Sequence, residues 1–275
     1  MRLADITAKI IQEGGSMPGV GAIHISEIEP TLSALEQTLG LDLQNNALGS
    51  VGKREFSGDI DVAISLDAEQ IPEFIQRLEQ TPEILEVKKS SIIMTKVKIQ
   101  GYNPDIPTER ERTGYVQVDF MPGDPDWMKV YYHSPSESES RYKGVYRNIM
   151  IATIAAVYGR VDSEQEAEPD RPEWSERYMW SPTDGLVKIR REPVPKKSGT
   201  GYTKKNKNTI IDGPWKKPDE IAQELGLDSA ADLNSFESLK AAIERNYPAE
   251  QVEKILTGFA QNGQIQALGV PEEIQ

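Results

Sequence analysis

Asp59 and Asp61 stand one residue apart inside the apolar run Ile60, Val62 and Ile64, and this arrangement restricts the fold more than any other stretch. The alternation predicts a β-strand, whose successive side chains leave opposite faces, so both carboxylates share one face. Two like charges on one face are costly unless positive charge lies between them. Hard carboxylate oxygens suit Mg²⁺, which keeps several waters and completes its shell with substrate phosphates. Upstream, Gly49-Ser50 closes the short apolar segment Ala47-Leu48. Glycine lets a phosphate approach the backbone, and a serine hydroxyl can hydrogen-bond it. Downstream, Tyr115-Val116-Gln117-Val118-Asp119-Phe120-Met121 alternates in the same way and supplies a third carboxylate, Asp119.

Taken in order, an apolar residue, Gly-Ser, a spacer, Asp-apolar-Asp-apolar and a carboxylate on a later strand resemble the signature of the nucleotidyltransferase superfamily typified by DNA polymerase beta. The parts here are Leu48, Gly49, Ser50, Asp59, Ile60, Asp61, Val62 and Asp119, within residues 30 to 160. Eight residues separate Ser50 from Asp59, a shorter spacer than this superfamily usually has, which implies a clipped helical turn after Gly-Ser. The resemblance implies an α/β (α+β) fold with a mixed sheet and flanking helices. It also implies a transferase that moves a nucleoside monophosphate from a nucleoside triphosphate, ATP or another, to a hydroxyl, releasing pyrophosphate. Asp59 and Asp61 would hold one Mg²⁺ at the triphosphate, and Asp119 with the same pair would hold a second at the acceptor hydroxyl. Gly49 and Ser50 would contact the terminal phosphates, with Lys53 or Arg54 adding positive charge.

The chain has 275 residues, enough for one large domain or two ordinary ones, and 37% of them are apolar. It lacks cysteine and has only His24 and His133 as imidazoles, which excludes thiol chemistry and argues against zinc. The first residues show no secretory pattern and no apolar run is long enough to span a bilayer, so a cytoplasmic protein without a membrane partner is expected.

The net charge of −13 argues against general coating of nucleic acid. Residues 188–217 depart from that balance with ten Lys and Arg against Glu192 and Asp212, a surplus of eight that leaves −21 on the rest. Tyr178, Trp180, Tyr202 and Trp215 interleave with these cations, which suits either capture of RNA or another polyanionic acceptor, or a solvated hairpin balancing an acidic chain.

Three regions are expected: a catalytic region over 1–160 with N-terminal helices, a linker and basic hairpin over 161–217, and a small helical region over 218–275. Helical spacing is present over residues 3–13, followed by a glycine-rich loop from Gly14. Ser26 and Glu29 have capping-box spacing before Leu32, Leu35 and Leu39. His24 is expected to hydrogen-bond structurally. Asp67 is expected to cap a helix carrying Ile71, Phe74, Ile75 and Leu78, and residues 84–101 to form one long strand or two short ones. Asp124 and Asp126 read as turn residues, and Trp127–Tyr132 as a short strand.

A helix is expected from Arg141 to Gly159, with Lys143 and Arg147 on one side facing a triphosphate or solvent. Asp184-Gly185 marks a hairpin, and the basic segment that continues through Ser198–Tyr202 to Ile210-Ile211 is expected to include a mobile loop. Helices are expected after Pro218, around Phe236–Ile243, and from Pro248 as a first helical residue. The rival to an enzyme is a non-catalytic protein that keeps the fold and binds a nucleotide or RNA as a regulator or assembly factor.

Overall fold

The computed structural model describes residues 17–90, 92–163, 174–197 and 201–274. The helix expected over residues 3–13, the first part of the loop that follows it (14–16) and residues 198–200 of the basic segment lie outside the described residues. The fold is mixed α and β, and the chain divides into two compact units, Met1–Gly144 and Val145–Gln275. No helix among the described residues is long and apolar enough to cross a membrane.

The first unit runs β1 (Ile23–His24), α1 (Ile25–Leu39), β2 (Phe56–Ser57), β3 (Asp59–Ile64), α2 (Ile71–Glu79), β4 (Ile84–Lys89), β5 (Ile93–Lys98), β6 (Tyr115–Pro122) and α3 (Pro125–Tyr131). Its main sheet has the order β3-β6-β5-β4, parallel between β3 and β6 and antiparallel elsewhere. One face is apolar: Ile60, Val62, Val116, Val118 and Phe120 meet Leu32, Leu35 and Leu39 of α1 and Phe74 and Leu78 of α2 in one buried cluster. Phe74 meets Phe120 edge-on at 5.4 Å. Burying this face favours the fold by roughly 25 cal/mol per Å² of apolar surface. It also fixes the strand register, because a slip of one residue would drive the Asp59 and Asp61 side into the core.

Helix α1 begins two residues earlier than a cap at Ser26 would place it. His24 is the N-cap: its imidazole accepts from the Ser26 N–H, while Glu27, not Glu29, completes the capping box by accepting from the His24 N–H at 3.0 Å. Gly40 ends the helix at φ 62°, a left-handed conformation that costs glycine little. Helix α2 is not capped by Asp67; Gln70 precedes its first residue, and Gln70 Oε1 accepts from the Asp67 N–H at 2.9 Å. The stretch Trp127–Tyr132 is not a strand. Asp124 accepts from the N–H groups of Asp126 and Trp127, and Pro125 opens a helix, so the cap and proline override the aromatic character of the segment.

The second unit runs α4 (Gly144–Val157), β7 (Val161–Asp162), β8 (Ser175–Ser181), β9 (Gly185–Pro195), β10 (Tyr202–Trp215), α5 (Pro218–Glu224), α6 (Phe236–Asn246), α7 (Ala249–Ala260) and α8 (Gly263–Leu268), with α4 starting at the divide. The sheet is antiparallel in the order β10-β9-β8-β7, and Asp184-Gly185 turns β8 into β9 as its sequence predicts. Tyr158 stacks on Tyr178 of β8 at 6.4 Å and on Tyr247 after α6 at 4.9 Å, joining sheet to helices. Phe236 stacks on Phe259 at 5.1 Å in the helical core. Arg147 does not face solvent or a triphosphate: it is buried, and its Nε donates to the Leu233 carbonyl. Pro248 is the N-cap of α7 and Ala249 its first residue.

Candidate active site

The face of the main sheet opposite α1 and α2 carries the charged residues. Strands β3 and β6 are parallel with Asp59 beside Gln117, Asp61 beside Asp119 and Ala63 beside Met121. Alternation brings Asp59, Asp61 and Asp119 onto one face, since Ile60, Val62, Val118 and Phe120 take the other. All three predicted carboxylates therefore come together.

Their proximity is visible in their proton affinities. Burial lifts the Asp61 carboxyl well above the ordinary carboxylate range, and the charges of Asp59 and then Asp119 lift it further. Asp61 is half-buried by exposed surface, yet protein surrounds it deeply enough for desolvation to come first. Asp119 is pushed up to about 7, chiefly by burial; the Gln117 hydrogen bond opposes the shift and Asp59 adds to it. Among the described residues, no three acidic or histidine side chains converge closely enough to hold a metal ion as they stand. The carboxylates are thus neighbours on one face rather than a closed cage.

Gln117 holds Asp119 in place. Its Nε2 donates to both carboxylate oxygens, at 2.9 and 3.0 Å, while its Oε1 accepts from the Met17 N–H at 3.0 Å. With both ends of the amide engaged in a buried site, the plane of the Asp119 carboxylate is set. Gln117 is a site residue that the sequence motif leaves out, although its place two residues before Asp119 on an alternating strand puts it on the same face.

Gly49 and Ser50 lie in the turn that leads towards β3. Leu48 N–H donates to the Asp61 carbonyl at 2.9 Å, and Ala47 bridges Val62, which fastens the turn beside the acidic strand. Gly49 has φ +64°, and a Cβ there would lie 3.9 Å from Asp61 Oδ2, so bare backbone borders the carboxylate. The segment between Ser50 and β2 contains turns and no helix, as the short spacer implies. Lys53 Nζ donates to the Ser134 carbonyl at 2.8 Å, and Arg54 pairs with Glu137 at 3.2 Å and donates to the Ser140 carbonyl. Both cations are thus tied to the segment following α3.

An aromatic wall, which the sequence does not signal, borders the same site. Tyr132, at the end of α3, packs with Leu48, Ala63 and Met128. Burial and then Asp61 raise its hydroxyl to about 12. Tyr131 meets it edge-on at 4.9 Å. The expectation of a strand over Trp127–Tyr132 hides this wall, because a strand would separate the two rings onto opposite faces.

Neither a protein-family model nor a curated protein matches this chain.

Proposed function

We propose that the first unit is a Mg²⁺-dependent nucleotidyltransferase that moves a nucleoside monophosphate from a nucleoside triphosphate to a hydroxyl acceptor. The observation that carries this reading is the register of β3 and β6, which sets Asp61 beside Asp119 with Asp59 on the same face. Carboxylates crowded in this way favour bound cations over bare charge, and a donor set of three carboxylate oxygens fits Mg²⁺ by its chemistry. Asp59 and Asp61 would hold the ion beside the triphosphate, and all three carboxylates the ion beside the acceptor hydroxyl. Bound there, two Mg²⁺ ions supply Lewis-acid stabilisation of phosphoryl charge and a more nucleophilic hydroxyl.

The protein's own groups serve orientation. Gln117 fixes the Asp119 carboxylate by donating to both of its oxygens. Gly49 leaves room beside Asp61 Oδ2 for a phosphate to approach the backbone, and Ser50 follows it with a hydroxyl. Lys53 and Arg54 supply positive charge at the same turn. The acceptor is a hydroxyl of RNA, of a protein side chain or of a small molecule, and residues 188–217 favour a polyanion among these.

Incubation with each labelled triphosphate, Mg²⁺ and total RNA or protein tests the reading. Transfer of label that disappears in Asp59→Ala and Asp61→Ala supports it. Absence of transfer from every nucleotide favours the non-catalytic nucleotide-binding alternative. That alternative draws on Lys53 and Arg54 being engaged by the 134–140 segment.

A further inference from the structure

The cations of residues 188–217 divide into two groups. Near the base of the hairpin they are neutralised within the fold. Lys188 and Arg190 both reach Glu176, at 3.8 and 2.6 Å, and Lys217 pairs with Glu220 at 3.4 Å. Arg190 also lies over the Trp174 ring at 5.0 Å. Arg191 lies across the strand pair from Asn206, whose side-chain oxygen accepts from Nη2 and Nε at 2.7 and 2.8 Å once the amide is turned to face the guanidinium. Further out, Lys196, Lys197, Lys205 and Lys207 are exposed and form no ion pair among the described residues. The acid in register with this outer group is Glu192, opposite Lys207.

Strand β10 is the edge of its sheet, and every residue from 205 to 214 is exposed, so neither of its faces is covered. Lysines on an edge strand blunt unwanted pairing with other chains, which accounts for charge alone. It does not account for the aromatic ring at the same end of the hairpin: Tyr202, in register with Pro195, is 38% exposed.

We propose that the outer part of this hairpin, residues 193–197 and 202–207, is a binding surface for single-stranded nucleic acid. Backbone phosphates lie against the four lysines, and unpaired bases stack on Tyr202. A duplex buries its bases in its own stack and offers none to the ring, which is why a single strand fits better. With −13 over the whole chain, attraction is confined to this hairpin rather than spread over the surface. This surface is independent of the three carboxylates, so its test requires no catalysis.

The experiment is fluorescence anisotropy of a labelled oligouridylate of about 20 nucleotides, and of a duplex of equal length, over a series of salt concentrations. The expected result is binding of the single strand in preference to the duplex. In the Lys196→Ala, Lys197→Ala, Lys205→Ala, Lys207→Ala variant, the slope of log K against log salt should become shallower by about 3, at roughly 0.7 per lost phosphate contact. Tyr202→Ala should weaken single-strand binding by at least about fivefold while keeping the slope, because it removes stacking and no charge. Lys240→Ala with Lys254→Ala, helix lysines paired with Glu244 and Glu250, serves as the charge control. No binding by the wild type, preference for the duplex, an unchanged slope in the fourfold variant, or an equal change in the control would each overturn the proposal.

Discussion

Asp61 on β3 and Asp119 on β6 occupy the same position of a parallel strand pair, so two carboxylates share one face of a sheet at neighbouring-strand distance. Adjacent strands lie roughly 4.8 Å apart. At about 5 Å and an effective dielectric of about 20, two unit charges repel by about 3 kcal/mol. A fold that keeps such a pair, with Asp59 beside it, is least stable when all three are ionised and nothing positive is bound.

The first prediction follows from the raised proton affinity of Asp119. Its carboxyl titrates near 3.8 in the ordinary case and at about 7 in the folded protein. Between those values the folded state holds a proton that the unfolded state has released, so stability falls as pH rises from about 4 to about 7 and does not recover above it. In metal-free buffer, Asp119→Asn should lose part of this decline, Asp61 supplying the rest, and melt at a higher temperature than the wild type at about pH 8, with little difference at about pH 4. Thermal unfolding across that range measures it, and a parallel decline in the variant would show that Asp119 is not its source.

A second prediction concerns the cation. If the three carboxylates take up Mg²⁺, adding it at about pH 8 should raise the melting temperature, with stabilisation of about 2.7 kcal/mol when the ion is at a hundred times its dissociation constant. Asp61→Asn should lose most of that gain. Equal gains in wild type and variant would assign the effect to ions elsewhere on an acidic protein.

Part of this site is readable without coordinates. Period-two alternation is enough to place Asp59 with Asp61, and Asp119 away from Val118 and Phe120, because burial of one sheet face decides it. What alternation cannot give is which strands are neighbours: that Asp61 meets Asp119 depends on packing of α1 and α2 against the sheet. Local signals also compete. Trp127–Tyr132 has strand-forming residues, but Asp124 and Pro125 start a helix there, and the Tyr131–Tyr132 pair follows from that helix. The cap of α1 falls on His24, a residue type seldom read as a cap, whereas Ser26 carries the usual capping signal two residues later.

A third prediction isolates Gln117. Its amide donates to both oxygens of the ionised Asp119 and so holds the proton affinity down. Gln117→Leu removes the donor at similar volume. The Asp119 titration, followed by carbon NMR of the carboxyl group, should then move above its wild-type midpoint of about 7. A midpoint that stays or drops would mean that burial and Asp59 set it without Gln117. Transfer activity, if present, should fall through looser positioning of Asp119, while Asp59 and Asp61 keep their places on β3.

The fourth prediction tests how the acidic face is supported from outside. Glu27 of α1 and Arg112, three residues before β6, form an ion pair of 2.6 Å with side chains only 3% and 5% exposed. Glu27 also accepts from the backbone N–H groups of His24 and Asn103, at 3.0 and 2.8 Å. The Arg112 guanidinium lies over Phe56 at 5.6 Å and over Tyr102 at 5.0 Å, and its Nε and Nη1 have no hydrogen-bond partner among the described residues. Removing one member of such a buried pair strands the other charge, at a cost of about 3–5 kcal/mol. Glu27→Gln should therefore destabilise more than Arg112→Met, since Glu27 retains two backbone donors whereas Arg112 would keep only aromatic faces. In the Glu27→Gln, Arg112→Met double variant no charge is left stranded, so its loss in denaturant unfolding should be clearly smaller than the sum of the single losses. Additive losses would show that the two side chains act separately, and that the loop before β6 is held by its backbone contacts alone.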